Sequence, residues 1–317
     1  MPTSSAKVSD HGAGRGDIDV ARNVEERRAA RAGQPEGNGT RTRHYDRSSL
    51  TYADTFTNPA KVAAIHALEW STGKISILRM VREFERMGAP QDASFFRAVL
   101  DVMRIPLQTP SQQMERIPSE GPVVVVANHP HGLVDGMVLA ELIGKRRPDY
   151  KILTRSLLTQ LDAVADRFLI SVPFPHEPDA QQKSIEMRDA AMAQLEAGGV
   201  IGLFPSGVVA SADRMFGPAV EREWNVFTAK MIRRSGARVV PVFFPGQNSR
   251  WYQIASRVSP TLRQGLLIHE IVKACNTAQS PLIGHPLDPA EVAERSASPR
   301  DFMAWLRAHT LSLGNSA

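Results

Sequence analysis

Val123-Val124-Val125-Val126-Ala127-Asn128-His129-Pro130-His131-Gly132-Leu133-Val134-Asp135-Gly136 passes from four consecutive valines into a loop of His, Pro, His and Gly and then into an apolar stretch. A run of β-branched residues bounded by a turn signal reads as a buried strand, and Asp135 to Ile143 predicts the helix that follows. Loops at the carboxyl ends of strands in open α/β sheets are where ligands bind. An imidazole placed there can take the proton of an attacking alcohol, provided a carboxylate fixes its tautomer and stabilises the imidazolium that forms. His129 and Asp135 fit those two roles. The plainer alternative is that His129 hydrogen-bonds the loop while Asp135 caps the helix.

Outward from this stretch the same alternation continues. Lys151-Ile152-Leu153 predicts a strand, Lys183 to Ala197 a helix, Val200 to Phe204 a strand, Phe227 to Ser235 a helix and Arg238 to Phe244 a strand. The expected fold class is therefore α/β, with a largely parallel central sheet flanked by helices. Ahead of it, Val62, Ile65, Leu68, Ile75, Leu78, Val81 and Phe84 recur at three- and four-residue steps. Phe95, Phe96, Val99, Leu100, Met103 and Ile105 form a second run, so an N-terminal helical pair is expected over 58–105. Their apolar stripes fit core packing by default and lipid contact as the alternative. Residues 1–47 show no apolar periodicity, contain Gly33-Gln34-Pro35-Glu36-Gly37-Asn38-Gly39, and read as a flexible tail before one domain over 48–317.

Composition narrows the function. At 317 residues and 42% hydrophobic, the chain can bury one large core. Its longest apolar stretches, Val123 to Ala127 and Val239 to Phe244, fall far short of the roughly 20 residues a spanning helix needs. Asp10, Gly12, Gly14 and Asp17 stand where a secretory signal would be apolar, so a cytoplasmic protein is expected. The one cysteine, Cys275, has no neighbouring Cys or His at metal spacing and reads as a small buried hydrophobe, and no metal site is expected. A net charge of +5 favours an anionic partner, whether nucleic acid, acidic lipid or phosphorylated substrate. No helix-turn-helix, zinc spacing or aromatic-basic stripe supports nucleic acid.

Asn128-His129 through Asp135 resembles the His-x4-Asp signature of the glycerolipid, or lysophosphatidic acid, acyltransferases. Phe204-Pro205-Ser206-Gly207 resembles that family's Phe-Pro-Glu-Gly block, and Val240-Pro241-Val242-Phe243-Phe244 its final Val-Pro-Val block, in the family's order. The resemblance implies an O-acyltransferase that moves a fatty acyl chain from acyl-CoA or acyl carrier protein to the hydroxyl of a lysolipid, with neither a metal nor a covalent acyl-enzyme. His129 would be the general base and Asp135 its orienting partner. Asn128, His131, Gly132, Arg188, Phe204, Pro205, Ser206 and Gly207 would surround the substrates, with backbone amides near Gly207 holding the oxyanion. It also implies a peripheral protein on the inner face of the membrane.

The chain departs from the pattern. Five residues separate His129 from Asp135 where the signature has four, and three separate His131 from it, so His131 stays open as the second candidate base. Ser206 replaces the motif glutamate. The family's second block, Gly-x-x-Phe-Ile-x-Arg, has as its nearest match Arg167-Phe168-Leu169-Ile170-Ser171-Val172-Pro173-Phe174-Pro175, without the arginine. Arg188, Lys183 or Arg155 would have to supply that charge. Arginine holds phosphate bidentately, so these departures point to an acceptor other than lysophosphatidic acid, such as an amino-acid-containing or zwitterionic lysolipid. Pro245 to Tyr252 would line an acceptor pocket or form a turn under an aromatic lid, and Glu221 to Asn225 would lie near the site. Two rival classes remain: a serine-type lipid hydrolase using Ser206, although the Gly-x-Ser-x-Gly elbow is absent, and a non-catalytic lipid-binding protein.

Overall fold

Residues 51, 53, 58–90, 92–155, 164–173, 179–214 and 217–315 are described by the structure, a computed structural model. The tail read over 1–47 lies outside them. The valine run forms β1, Val123–Ala127, every residue of which is buried. It pairs in parallel with β4, Val200–Leu203, on one side and with β7, Arg238–Phe243, on the other. Beyond β4 lie β2, Tyr150–Arg155, and β3, Leu169–Val172; beyond β7 the short β8, Leu282–Ile283, closes the edge antiparallel. The order β3-β2-β4-β1-β7-β8 is the largely parallel sheet that the alternation predicts.

Successive residues of a strand face opposite ways, and β1 uses both faces. Val123, Val125 and Ala127 pack with Val138, Leu139 and Ile143 of α5, Leu133–Gly144. Val124 and Val126 pack with Met187, Ala191 and Leu195 of α6, Ala180–Glu196, with Ala229 and Ile232 of α7, Val226–Ser235, and with Phe302 and Leu306 of α12, Pro299–Ser312. The crossover leaving β1 therefore runs over one face and the one leaving β4 over the other. Neighbouring strands whose connections part in this way leave a crevice at their carboxyl ends. The His-Pro-His loop leaves β1 at that crevice, and Phe204 to Gly207 leaves β4 there.

Among the described residues the helical N-terminal part comes as three helices plus one turn: α1, Pro59–Thr72; α2, Lys74–Arg86; α3, Phe95–Val102; and α4, Ser111–Met114. The stripe from Val62 to Phe84 is broken at Gly73, where a Cβ would lie 2.8 Å from Cγ2 of Val272 on α10, Leu267–Ala274. Phe84, Phe95, Phe96 and Leu100 enter the core that holds Val123 and α5, so α2 and α3 follow the core-packing expectation. β3 is not legible in the sequence. It is an edge strand on β2 in which Ile170 is buried and Ser171 exposed, too short to show a pattern. Between β4 and α7 sits a small hairpin, β5, Ser211–Ala212, with β6, Ala219–Val220. Two further helices, α8, Arg250–Val258, and α9, Pro260–Gly265, follow β7, and α11, Pro289–Arg295, precedes α12.

Candidate active site

Asp135 occupies the third position of α5 and is completely buried. Its Oδ2 accepts the backbone N–H of His131 at 2.7 Å and that of Gly132 at 3.1 Å, so it closes the start of the helix. The same carboxylate meets both imidazoles: His129 Nδ1 at 3.1 Å on Oδ2 and His131 Nδ1 at 3.0 Å on Oδ1. Capping and imidazole orientation, alternatives when read from the sequence, coexist in one side chain. Burial, the largest influence, pushes the Asp135 carboxyl up, but the hydrogen bonds and positive charge of the two histidines outweigh it and hold it below its ordinary value. Gly132 makes the bend possible, with φ +77°, a backbone region that side chains with a Cβ rarely adopt.

The His129 ring stacks on Phe204, with centroids 4.0 Å apart and planes 20° apart. Its backbone is pinned on both sides: the carbonyl accepts the N–H of Ala210 at 2.8 Å, and the N–H donates to Oε2 of Glu221 at 3.1 Å. Glu221 is buried, and its other oxygen accepts the indole N–H of Trp224 at 3.0 Å. The Glu221 to Asn225 loop is site-proximal by its position in the sequence, but no local signal reveals that this carboxylate holds His129. A Cβ added to Gly246 would lie 3.1 Å from His131 Nε2, so main chain lies close to that nitrogen; the two imidazoles are equally exposed, at 16% each.

The remaining sequence-picked residues divide. Phe204, Pro205, Ser206 and Gly207 form a tight turn beside His129, closed by the Gly207 N–H donating to Phe204 C=O at 2.9 Å. That bond commits the N–H of Gly207 itself to the turn. Ser206 Oγ donates to Val208 C=O at 3.0 Å, and no hydrogen bond joins it to either imidazole. Asn128 is buried and spends its amide on the Phe244 backbone, donating to C=O at 2.8 Å and accepting from N–H at 2.7 Å. It ties the end of β1 to the end of β7. Arg188 is exposed on α6, its guanidinium 5.7 Å from the Phe227 ring centroid, and is not brought to the histidine loop. Within the second-block segment, Phe174 and Pro175 lie outside the described residues. In the Pro245 to Tyr252 segment Tyr252 is buried but Trp251 is turned outward, so no packed aromatic lid forms there.

A cleft of about 480 Å³ opens at the other end of the sheet, lined by Gln112, Glu115, Arg116, Pro118, Arg238, His285 and Pro286, where β1 and β7 begin. It is remote from the histidines, and the crevice at the carboxyl ends remains the candidate site. Among the described residues no group of three His, Cys, Asp or Glu side chains is placed to hold a metal ion, and no helix is long and apolar enough to cross a membrane.

Comparison with known proteins adds three findings. A family model described as acyltransferase matches residues 66–275. A lyso-glycine lipid O-acyltransferase of Phocaeicola vulgatus is 24% identical over 202 residues, 61% of this chain and 69% of that protein. The crystal structure of the 1-acyl-sn-glycerophosphate (LPA) acyltransferase PlsC from Thermotoga maritima is 16% identical, with a TM-score of 0.46, over 73% of this chain and 78% of that one.

Proposed function

The chain belongs to the acyltransferase family, and from that premise we propose that it transfers a fatty acyl chain from a thioester, acyl-CoA or acyl carrier protein, to the hydroxyl of a lysolipid. The observation that carries this reading is the buried Asp135 carboxylate holding the His129 imidazole at 3.1 Å in the crevice between β1 and β4. An ionised Asp135 takes the Nδ1 proton side of the ring, which leaves the lone pair on Nε2. The hydroxyl oxygen attacks the thioester carbonyl as Nε2 removes its proton. When the tetrahedral intermediate collapses, the C–S bond breaks, the ester forms, and the imidazolium returns the proton to the departing thiolate. Asp135 balances the imidazolium charge in between.

We take His129 as the base in preference to His131 because its ring is held against Phe204 of the turn after β4 and its carbonyl is pinned by Ala210, while Gly246 lies close to Nε2 of His131. Replacement of His129 by Ala is expected to lower acyl transfer roughly 100- to 10,000-fold in a chain that still melts cooperatively, at a temperature lowered by loss of one hydrogen bond to the buried Asp135. His131→Ala should cost less, since His131 contributes one hydrogen bond to Asp135. An active His129→Ala beside an inactive His131→Ala reverses the assignment.

For the acceptor we infer a lysolipid with an amino-acid headgroup in preference to lysophosphatidic acid. Its support is the missing second-block arginine, Ser206 in place of glutamate, Arg188 lying over Phe227, and the activity that names the Phocaeicola relative. Such acceptors reside in membranes, so the reading includes work at a membrane surface, which we propose to be the inner face. Competition between lysophosphatidic acid and a lyso-amino-acid lipid for one limiting thioester tests this. A higher specificity constant for lysophosphatidic acid that Ser206→Glu leaves unchanged would sink the inference.

A further inference from the structure

From Gly246 to His269 the chain carries Arg250, Arg257 and Arg263 and no aspartate or glutamate. Most of this stretch folds as α8 and α9, which pack on each other. α8 has two sharply different sides. Tyr252, Gln253 and Ala255 are buried, whereas Trp251 is 71% and Val258 62% exposed. Seven residues make nearly two turns of helix, so Trp251 and Val258 lie along one stripe. Arg250 and Arg257 share the same spacing beside that stripe, are exposed, and make no ion pair among the described residues. On α9, Leu262 is 43% exposed.

An indole left in water forgoes a large hydrophobic gain, and uncompensated guanidiniums next to it favour an acidic surface. Together they match a helix lying in the headgroup layer of a bilayer, where tryptophan sits at the interface, the aliphatic side chain enters the acyl region and arginines meet phosphates. A second copy of this chain is a poorer occupant, because the stretch offers no acidic group to its own arginines.

α8 is also joined to the catalytic crevice. The chain reaches it through Gly246, which packs on His131. Gln253 Oε1 accepts the N–H of Ala212 at 2.7 Å, two residues after Ala210, whose N–H binds the His129 carbonyl. The buried Glu270 accepts the N–H of Ser249 at 2.8 Å and its hydroxyl as well, fixing the N-cap of α8. The helix is thus held rigidly to the loops that present both histidines.

The geometry points to α8 as an interfacial anchor: Arg250, Trp251, Arg257 and Val258 seat on an acidic bilayer surface and hold the His129 crevice beside the lipid from which the acceptor is drawn. The delivery of acceptor rests on the lysolipid reading above; the docking does not. The test is co-sedimentation of the full chain with vesicles of phosphatidylcholine alone or mixed with phosphatidylglycerol. Wild type should bind the acidic vesicles more tightly and release with salt. Trp251→Ser with Val258→Ser should weaken binding to both vesicle types by about ten-fold or more, with an unchanged melting curve because both side chains are exposed. Arg250→Gln with Arg257→Gln should abolish the preference for acidic lipid, about 30-fold if each arginine contributes as a basic residue near a charged surface does. Both double variants should keep their rate on a short-chain lysolipid dissolved as monomers and lose it on vesicle-embedded acceptor. Wild-type vesicle binding by both variants overturns the anchor even if His129→Ala is inactive. So does a wild-type dimer that the Trp251 and Val258 changes convert to monomer, which would make this face a contact between copies. Failure of acyl transfer with vesicle binding intact would instead count against the lysolipid reading alone.

Discussion

At the scale of single residues the decisive group is Asp135, which makes four polar contacts through two oxygens. Its carboxyl is held below the ordinary 3.8 because the two histidines outweigh the upward push of burial. A depressed carboxylate stabilises the fold above its unfolded value and loses that contribution as pH falls through the lower folded value. Thermal melts should therefore show Asp135→Asn least stable relative to wild type above about pH 5, with the difference shrinking below 3.8. A difference that widens on acidification would contradict the assigned sign. Glu221 is a positioning residue. A carboxylate accepts both the His129 and the Trp224 N–H, whereas an amide accepts only one and turns a donor toward the other. Glu221→Gln is expected to cost about 1–3 kcal/mol of stability and to lower kcat more than it raises KM. Unchanged kcat in a folded variant would show that His129 keeps its place without it.

At the scale of elements, β1 and β7 are locked at their carboxyl ends by Asn128, whose amide answers both backbone groups of Phe244. By the family resemblance Asn128 would lie against substrate. The geometry predicts a different signature: Asn128→Ala leaves a buried N–H and C=O without partners and should lower stability by about 1–3 kcal/mol. A variant that melts like wild type but shows a raised KM would restore the substrate role. Apart from β3 and the short β5–β6 hairpin, helix and strand types from Val123 to Phe243 were legible because their apolar periodicity is strong and their lengths ordinary. β3 and β8 were not, since Leu169–Val172 and Leu282–Ile283 are edge strands fixed by pairing rather than by pattern. The break at Gly73 was invisible for a related reason: it answers the approach of Val272, some two hundred positions away.

At the scale of the whole molecule, among the described residues every sheet strand and every proposed catalytic group lies within 123–283, and the helices that cover them begin at Pro59. Residues 48–317 are accordingly expected to fold and to transfer acyl groups without 1–47. A shortened chain that fails to give a cooperative melt, or that loses transfer to water-soluble acceptor while folding normally, would assign the first 47 residues a part in the domain or its site.

The α/β alternation, the buried valine strand, the histidine loop after it and the likeness to acyltransferases can all be read along the chain, because each is written in residues near one another. The folded arrangement was needed to show that the loops after β1 and β4 share one crevice, that Asp135 serves both histidines while capping α5, and that Gly246 lies against His131. It alone brought Glu221 to the His129 backbone, committed Asn128 and the Gly207 amide to the scaffold, and turned Trp251 outward beside two arginines. The physical reason is common to all of these. They depend on strand order and on which face of a helix is buried, and those follow from packing between segments far apart in the chain, where no local pattern records the outcome.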